Sequence, residues 1–278
     1  MKVVTTIDGE FVQPRDARIS VYDNALLYAE GLFETFLSID ERVIFMQHHL
    51  QRMSAGLKVT GIKLPVNRKT LKEWMVKTTS AHPAHVKKLR MTITGGEVPR
   101  WGGNQGNPRV ILTATPHEFP QQPFRLNVAE FKIDQDSVFR RIKTISYVIH
   151  AAALKQAKRQ KLDDAILLNI RDQVAEVTSA NIFWVKRGKV FTPPISAGGL
   201  DGVTRRELLQ KAPKWGVRIA EQNCKMETLL KADEVFISSS LKVVSPVGLI
   251  ASDPGRAEYE TGPITQHLRD RFYKLLRV

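Results

Sequence analysis

The residues best placed for chemistry lie between Ala165 and Arg206. Ala165-Ile-Leu-Leu-Asn169 reads as a buried strand and Asp172 marks a turn. Glu176 then sits inside Val174-Ala-Glu-Val177, a carboxylate in an apolar context. A second strand, Asn181-Ile-Phe-Trp-Val185, turns at Arg187-Gly188 and returns through Val190-Phe-Thr192 to Pro193-Pro194. Gly198-Gly-Leu-Asp-Gly202 leads into Val203-Thr204-Arg205, the opening of a helix with Leu208, Leu209 and Ala212 on one face. A helix entered from glycines points its leading amides at whatever lies ahead of it, which suits an anion of phosphate size. One stretch thus offers a strand-borne carboxylate and an anion cup. The plainer alternative for Glu176 is a solvated hairpin charge, since acids beside turns usually face water.

The elements that must position these groups can be read in chain order. Lys2 to Ile7 is β-rich, Asp8-Gly9 signals a hairpin and Glu10-Phe-Val12 returns from it. Asp23 to Gly31 reads as a loop, followed by the strand Gly-Leu-Phe-Glu-Thr-Phe-Leu37 and the turn at Asp40-Glu-Arg42. Helical spacing covers 47–57, with Leu50, Met53 and Leu57 on one face, and 68–80. Strands at 89–94 and 110–114 flank a glycine-rich loop that lacks the Gly-Lys-Ser/Thr ending of a nucleotide loop. Pro116 to Pro123 carries three prolines and predicts a linker. A strand at 124–129, a helix at 147–160, strands at 217–220 and 234–238, the apolar run 243–250 and a helix at 263–276 complete the second half. The expected organisation is a small α+β domain at 1–115, a linker at 116–123 and a larger α/β domain at 124–278.

Composition narrows the function classes. The 278 residues carry 42 basic and 28 acidic side chains, a formal net charge of +14. The bases are dispersed and no aromatic stacking platform accompanies them, so nucleic acid is not the expected partner; a basic surface attracts small anions. No apolar run approaches the roughly 18 residues of a membrane helix, and the N-terminus lacks a secretory apolar core, which points to the cytoplasm. The lone Cys224 excludes an intramolecular disulfide, and no Asp/Glu/His cluster indicates a metal site.

Glu-Val-Thr-Ser-Ala-Asn-Ile-Phe from Glu176, then Thr192-Pro-Pro, then Leu200-Asp-Gly-Val-Thr-Arg205 resembles the fold-type IV pyridoxal-phosphate enzymes. That family contains branched-chain aminotransferases, D-amino-acid aminotransferases and aminodeoxychorismate lyase, and the likeness runs from about Tyr22 to the C-terminus. It implies a two-domain α/β enzyme, its larger domain built on a mixed sheet or barrel-like core, with pyridoxal 5'-phosphate at the domain interface. It also implies a homodimer in which each active site borrows a loop from the neighbouring subunit. By the same likeness Lys143 forms the cofactor imine and Glu176 pairs with the pyridine nitrogen. Val203, Thr204, Ser240 and Arg52 would hold the phosphate, Arg52 through His49-Leu-Gln-Arg. Tyr147 would flank the cofactor, and Tyr28 and Arg100 would meet the substrate. Ser146 stands where many relatives carry Asn, and Ser240 where threonine is common.

The branch within the family is mixed. Leu89-Arg-Met-Thr-Ile-Thr-Gly-Gly96 with Arg100 is similar to the D-amino-acid and lyase branches, whereas Leu200-Asp-Gly-Val-Thr-Arg and Ser245-Pro-Val247 are similar to branched-chain enzymes. The expectation is amino-group transfer between an amino acid, branched-chain or D, and a 2-oxo acid. The alternatives are aminodeoxychorismate lyase, a catalytically inactive relative, and a basic anion-binding protein.

Overall fold

The structure, a computed structural model, describes residues 3–97, 106–252 and 255–278. The chain divides into two units, Met1–Glu118 with Ile142–Ser146, and Phe119–Arg141 with Tyr147–Val278.

In the first unit β1 (Val4–Ile7) and β2 (Glu10–Val12) form the hairpin expected at Asp8-Gly9. α1 (Asn24–Leu27) is one turn within the segment expected as loop, capped by Asp23, which accepts the Ala25 amide at 2.8 Å. β3 (Gly31–Ile39), β4 (Arg42–Val43), α2 (Met46–Thr60), α3 (Arg68–Ser80), β5 (Val86–Thr94) and β6 (Val110–Pro116) follow. The strands form one antiparallel sheet in the order β2-β1-β6-β5-β3-β4. Helix periodicity in α2 and α3 aims Leu50, Met53, Leu71 and Met75 at Leu32, Phe36, Leu89 and Met91 of the sheet, which together form this unit's core.

Ile142–Ser146 belongs with this sheet for a specific reason. β4 pairs only with the far end of β3, at Ser38 and Ile39. At the near end Thr144 bridges Leu32, the Phe33 amide donates to the Lys143 carbonyl at 2.9 Å, and the Ile145 amide donates to Gly31 at 3.0 Å. The segment satisfies backbone groups that an open edge would leave exposed.

The second unit contains β7 (Phe124–Val128), α4 (Val148–Arg159), β8 (Asp164–Leu168), β9 (Val174–Val177), β10 (Asn181–Lys186) and β11 (Lys189–Thr192). α5 (Val203–Lys211), β12 (Ile219–Glu221), α6 (Met226–Leu230), β13 (Glu234–Ser239), β14 (Val243–Ala251), β15 (Arg256–Glu258) and α7 (Pro263–Leu276) complete it. Its nine strands among the described residues form a mixed sheet, β12-β11-β10-β13-β14-β7-β8-β9, with β15 added to β14. The order forces curvature. Five strand spacings separate β9 from β10, about 24 Å in a flat sheet. Yet only residues 178–180 join them, and the four links from Val177 to Asn181 reach at most about 14 Å. The sheet therefore curls, and Val174, Ile182, Trp184, Ile237 and Ile250 from its separated strands share one core. This is the barrel-like mixed sheet that the resemblance implies. On β8, Ala165 and Leu167 pack with Ala153 and Ala157 of α4, small residues that let the helix approach closely. Among the described residues no helix is long and apolar enough to cross a membrane.

Gly31 is where the sheet tolerates no side chain. A Cβ there would lie 2.7 Å from the Ile93 carbonyl oxygen and 2.8 Å from Ile145 Cδ1. Gly31→Ala is expected to destabilise the protein by about 1–3 kcal/mol through overpacking. Amide exchange at Phe33 and Ile145 should accelerate more than at Leu89, in the middle of β5; uniform acceleration would show that the segment carrying Lys143 is not held through Gly31.

Candidate active site

Glu176 is 5% exposed on β9, so the solvated-hairpin alternative does not apply. Burial alone would raise its pKa. A hydrogen bond and charge from His150, the charge of Arg140 and the Leu200 amide outweigh burial and leave the carboxyl below its ordinary range. Arg140 Nη2 donates to Oε1 and the Leu200 amide donates to Oε2 at 2.8 Å, while His150 Nε2 lies 3.4 Å from Oε1. The group is an anion held away from water.

Each partner arrives for a local reason. Arg140 closes a short 3-10 turn, Val138–Arg141, and its Nε donates to the Gly198 carbonyl at 3.0 Å, which ties that turn to the glycine loop. Gly199 lets the loop lie on β9, because a Cβ there would stand 2.8 Å from the Ala175 carbonyl oxygen. That close approach brings the Leu200 amide to Glu176. His150 is 7% exposed on α4 and stacks on Tyr147 with ring centroids 3.9 Å apart. The Tyr147 hydroxyl donates to the Thr178 carbonyl at 2.8 Å, so the phenol braces the turn after Glu176.

Three of the residues expected to hold the phosphate, Val203, Thr204 and Ser240, lie in the same unit. α5 starts at Val203 without a side-chain cap at Gly202, and Thr204 is buried in its first turn. Asn181 Nδ2 donates to the Leu200 carbonyl at 2.7 Å and steadies the loop before the helix. Ser240 begins the turn between β13 and β14, partly buried. Near it on β13, the Ser238 hydroxyl is buried with no hydrogen-bond partner among the described residues.

Lys143 and Arg52 belong to the first unit. Lys143 is partly buried, with Nζ 4.4 Å from the centroid of the Phe33 ring, and Arg90 lies 4.0 Å from the same centroid. Arg52 on α2 is buried and meets Glu34 of β3 through Nε at 2.8 Å and Nη2 at 2.6 Å. His49 Nδ1 lies 2.7 Å from Glu34 Oε2. The sequence reading missed Glu34, which sits 15 and 18 residues from these partners; His49 and Arg52 three apart on one helix face were the available signal. A guanidinium has five N–H donors, so the fork to Glu34 does not exhaust Arg52. Tyr28, after α1, is 52% exposed. Arg100 lies outside the described residues.

The Glu34 cluster has a defined response to acid. Burial would raise the Glu34 pKa, but the charges and hydrogen bonds of Arg52 and His49 bring it down to about 2. The stability it contributes is therefore complete above about pH 4.5 and is lost as pH falls towards 2. Glu34→Gln, which leaves Arg52 buried without its anion, should cost about 3–5 kcal/mol at pH 7. The gap between the urea midpoints of the two proteins should close as pH is lowered from 6 to 2. A gap independent of pH would mean that the carboxylate is not the stabilising form.

The sequence profile of the family amino-transferase class IV matches residues 31–250. Aminodeoxychorismate lyase of Vibrio harveyi is 27% identical to this chain over 254 residues, covering 89% of this chain and 93% of its own. D-alanine aminotransferase of Bacillus licheniformis is 25% identical over 274 residues, covering 97% and 95%. The crystal structure of a branched-chain aminotransferase from Thermoproteus uzoniensis with norvaline superimposes with a TM-score of 0.90 at 24% identity, over 98% of this chain and 94% of that one, a likeness of fold. The curled mixed sheet and the match across residues 31–250 together make this chain a member of the class IV aminotransferase family.

Proposed function

We propose that this protein moves an amino group between an amino acid and a 2-oxo acid, with Lys143 and Glu176 as its principal working groups. Class IV aminotransferases use pyridoxal phosphate and take amino-acid and 2-oxo-acid substrates. The observation that carries the reading is Glu176, a buried carboxylate kept anionic, whose Oε2 meets the Leu200 amide. An ionised carboxylate offers about four acceptor positions, so this one has capacity for a further donor.

The chain's donor set fits the cofactor. Glu176 would accept from the ring nitrogen. The leading amides of α5 at Val203 and Thr204, the Thr204 and Ser240 hydroxyls and Arg52 would hold the phosphate, each charge-assisted hydrogen bond contributing about 1.5–3 kcal/mol. The buried Ser238 hydroxyl, orphaned beside Ser240, is a further sign of a polar occupant. Tyr147 would flank the ring, and Tyr28 and Arg100 would meet the substrate. Bound there, pyridoxal phosphate supplies a ring that withdraws electrons from the substrate α-carbon. Lys143 Nζ would hold the cofactor and, once displaced by the substrate amine, would move a proton at that α-carbon, and Glu176 would hold the ring nitrogen protonated. A homodimer belongs to the same proposal: Val21, Tyr22, Leu26, Leu27 and Tyr28 are each at least half exposed in one short stretch, an apolar surface suited to a second copy. A cytoplasmic enzyme is the companion expectation.

Two experiments test the assignment. Borohydride should fix the cofactor to the peptide containing Lys143, and Lys143→Ala should abolish turnover; label on another peptide would end the Lys143 assignment. Glu176→Gln should lower kcat by about 10²–10³, while cofactor affinity, held mainly by the phosphate contacts, changes far less. Equal turnover in the Gln variant would make Glu176 a structural residue.

The reaction itself is read from single turnovers. L- and D-amino acids are offered one at a time without a 2-oxo acid, and release of one equivalent of the matching 2-oxo acid per Lys143 supports transfer. The second reading, aminodeoxychorismate lyase, is favoured by the 27% identical Vibrio harveyi relative. Release of 4-aminobenzoate and pyruvate from aminodeoxychorismate, with no release from any amino acid, would replace the first reading by the second.

A further inference from the structure

The turn that carries Ser240 is held in an unfavourable backbone conformation. Ser239 pairs with Val243 across β13 and β14, so the hairpin loop is Ser240-Leu241-Lys242. Val243, the first residue after this loop, is left-handed at φ +55° and 1% exposed, in a region that glycine usually fills. A β-branched residue in that region is a true outlier and persists only where its surroundings over-determine it.

The surroundings converge on Lys242. Its amide donates to the Ser239 hydroxyl at 3.2 Å, and its carbonyl accepts the Ser245 hydroxyl at 2.6 Å. Its Nζ crosses to the start of β8 and donates to Asp164 Oδ2 at 2.6 Å, 78 residues away in sequence, while passing 4.9 Å from the centroid of the Phe124 ring. Asp164 is 1% exposed and also accepts from the hydroxyls of Thr178 and Ser179. Lys242 Nζ donates to Ser179 as well. Burial would raise the Asp164 pKa, but Lys242 and Thr178 bring it below the ordinary range, so the pair is ionic. Two turns are therefore fastened to one buried carboxylate: the turn after Glu176, through Thr178 and Ser179, and the turn that begins at Ser240, through Lys242.

We propose that Lys242 is a positioning residue, whose ion pair with Asp164 holds the strained Ser240 turn in register with the Glu176 turn and so sets the phosphate hydroxyl relative to the ring-nitrogen carboxylate. This rests on the reading of Ser240 as a phosphate ligand. An ion pair suits the task because an apolar contact leaves a turn free to slide, whereas a lysine aimed at a buried carboxylate fixes one geometry. The strain at Val243 supplies the tendency to relax that the pair opposes.

The test measures pyridoxal-phosphate affinity by titrating cofactor-free protein, together with the ³¹P resonance of the bound phosphate. Lys242→Met keeps the stem and removes the charge; it should weaken affinity about tenfold and shift or broaden the ³¹P line. Lys242→Arg should largely retain both. Adding Val243→Gly to Lys242→Met should restore much of the affinity, because glycine adopts the left-handed conformation without strain. Lys242→Met should also have little further effect on a Ser240→Ala background. Unchanged affinity and ³¹P shift in folded Lys242→Met would overturn the proposal, as would failure of Val243→Gly to restore either. If Lys242→Met does not fold, Asp164→Asn and Lys242→Met/Val243→Gly carry the same comparison. Ser240→Ala separates the two readings. If it leaves affinity untouched, the phosphate assignment fails first; if it weakens affinity and Lys242→Met does not, the clamp alone fails.

Discussion

Keeping a charged carboxylate out of water is the constraint around which the second unit is arranged. An unpaired buried carboxylate would take up a proton, so Glu176 needs compensation, and each compensating group fixes a different element. Arg140 fixes the 3-10 turn before Lys143 in sequence, Leu200 fixes the glycine loop before α5, and His150 fixes the first turns of α4. Gly199 exists at the closest point because nothing larger lets the Leu200 amide reach its partner. The curl of the sheet belongs to the same arrangement. The three residues that follow Val177 lead directly to Asn181, whose side chain steadies the loop that supplies the Leu200 amide.

Glu34 in the first unit shows the contrasting solution. Its two oxygens receive a guanidinium fork from Arg52 and the His49 ring nitrogen, all buried, which leaves little for a ligand. Glu176 receives one guanidinium nitrogen, one amide and a long contact to His150. Both carboxylates are ionised, so charge state does not separate them. Their remaining acceptor capacity does, and on that ground Glu176 is the one suited to hold a cofactor while Glu34 is suited to hold α2 on its sheet.

Much of this was legible in the sequence, and the limit has a physical cause. Helices at 68–80 and 263–276 fall where the sequence reading places them, because a helix announces itself within a few turns. The strand run through Glu176 was equally readable, as was the glycine entry to α5. What escaped were pairings between distant residues. Ile142–Ser146 carries no strand pattern and joins β3 only because that edge is open. Arg140 and Glu176 are 36 residues apart, and Lys242 and Asp164 are 78 apart; neither pair leaves a periodic trace. Tyr147 was expected beside the cofactor on the resemblance alone, and the bond from its hydroxyl to the Thr178 carbonyl could be known only from the fold.

The buried ionic clusters around Glu34, Glu176 and Asp164 also bear on how the fold distributes stability. Replacing a buried ion pair with well-packed apolar groups is often neutral or stabilising by about 1–4 kcal/mol, so such pairs are a costly way to hold a protein together. The apolar cores around Phe36 and Met75 in one unit and Ile182 and Trp184 in the other are where burial supplies the driving force. The ionic clusters instead sit where geometry must be single-valued: α2 against its sheet, the glycine loop against β9, and the Ser240 turn against the Glu176 turn. Apolar contacts are non-directional, whereas a forked or charged hydrogen bond weakens steeply when its angle changes. Directional bonds at these three places and non-directional packing elsewhere divide the work between fixing local geometry and supplying stability.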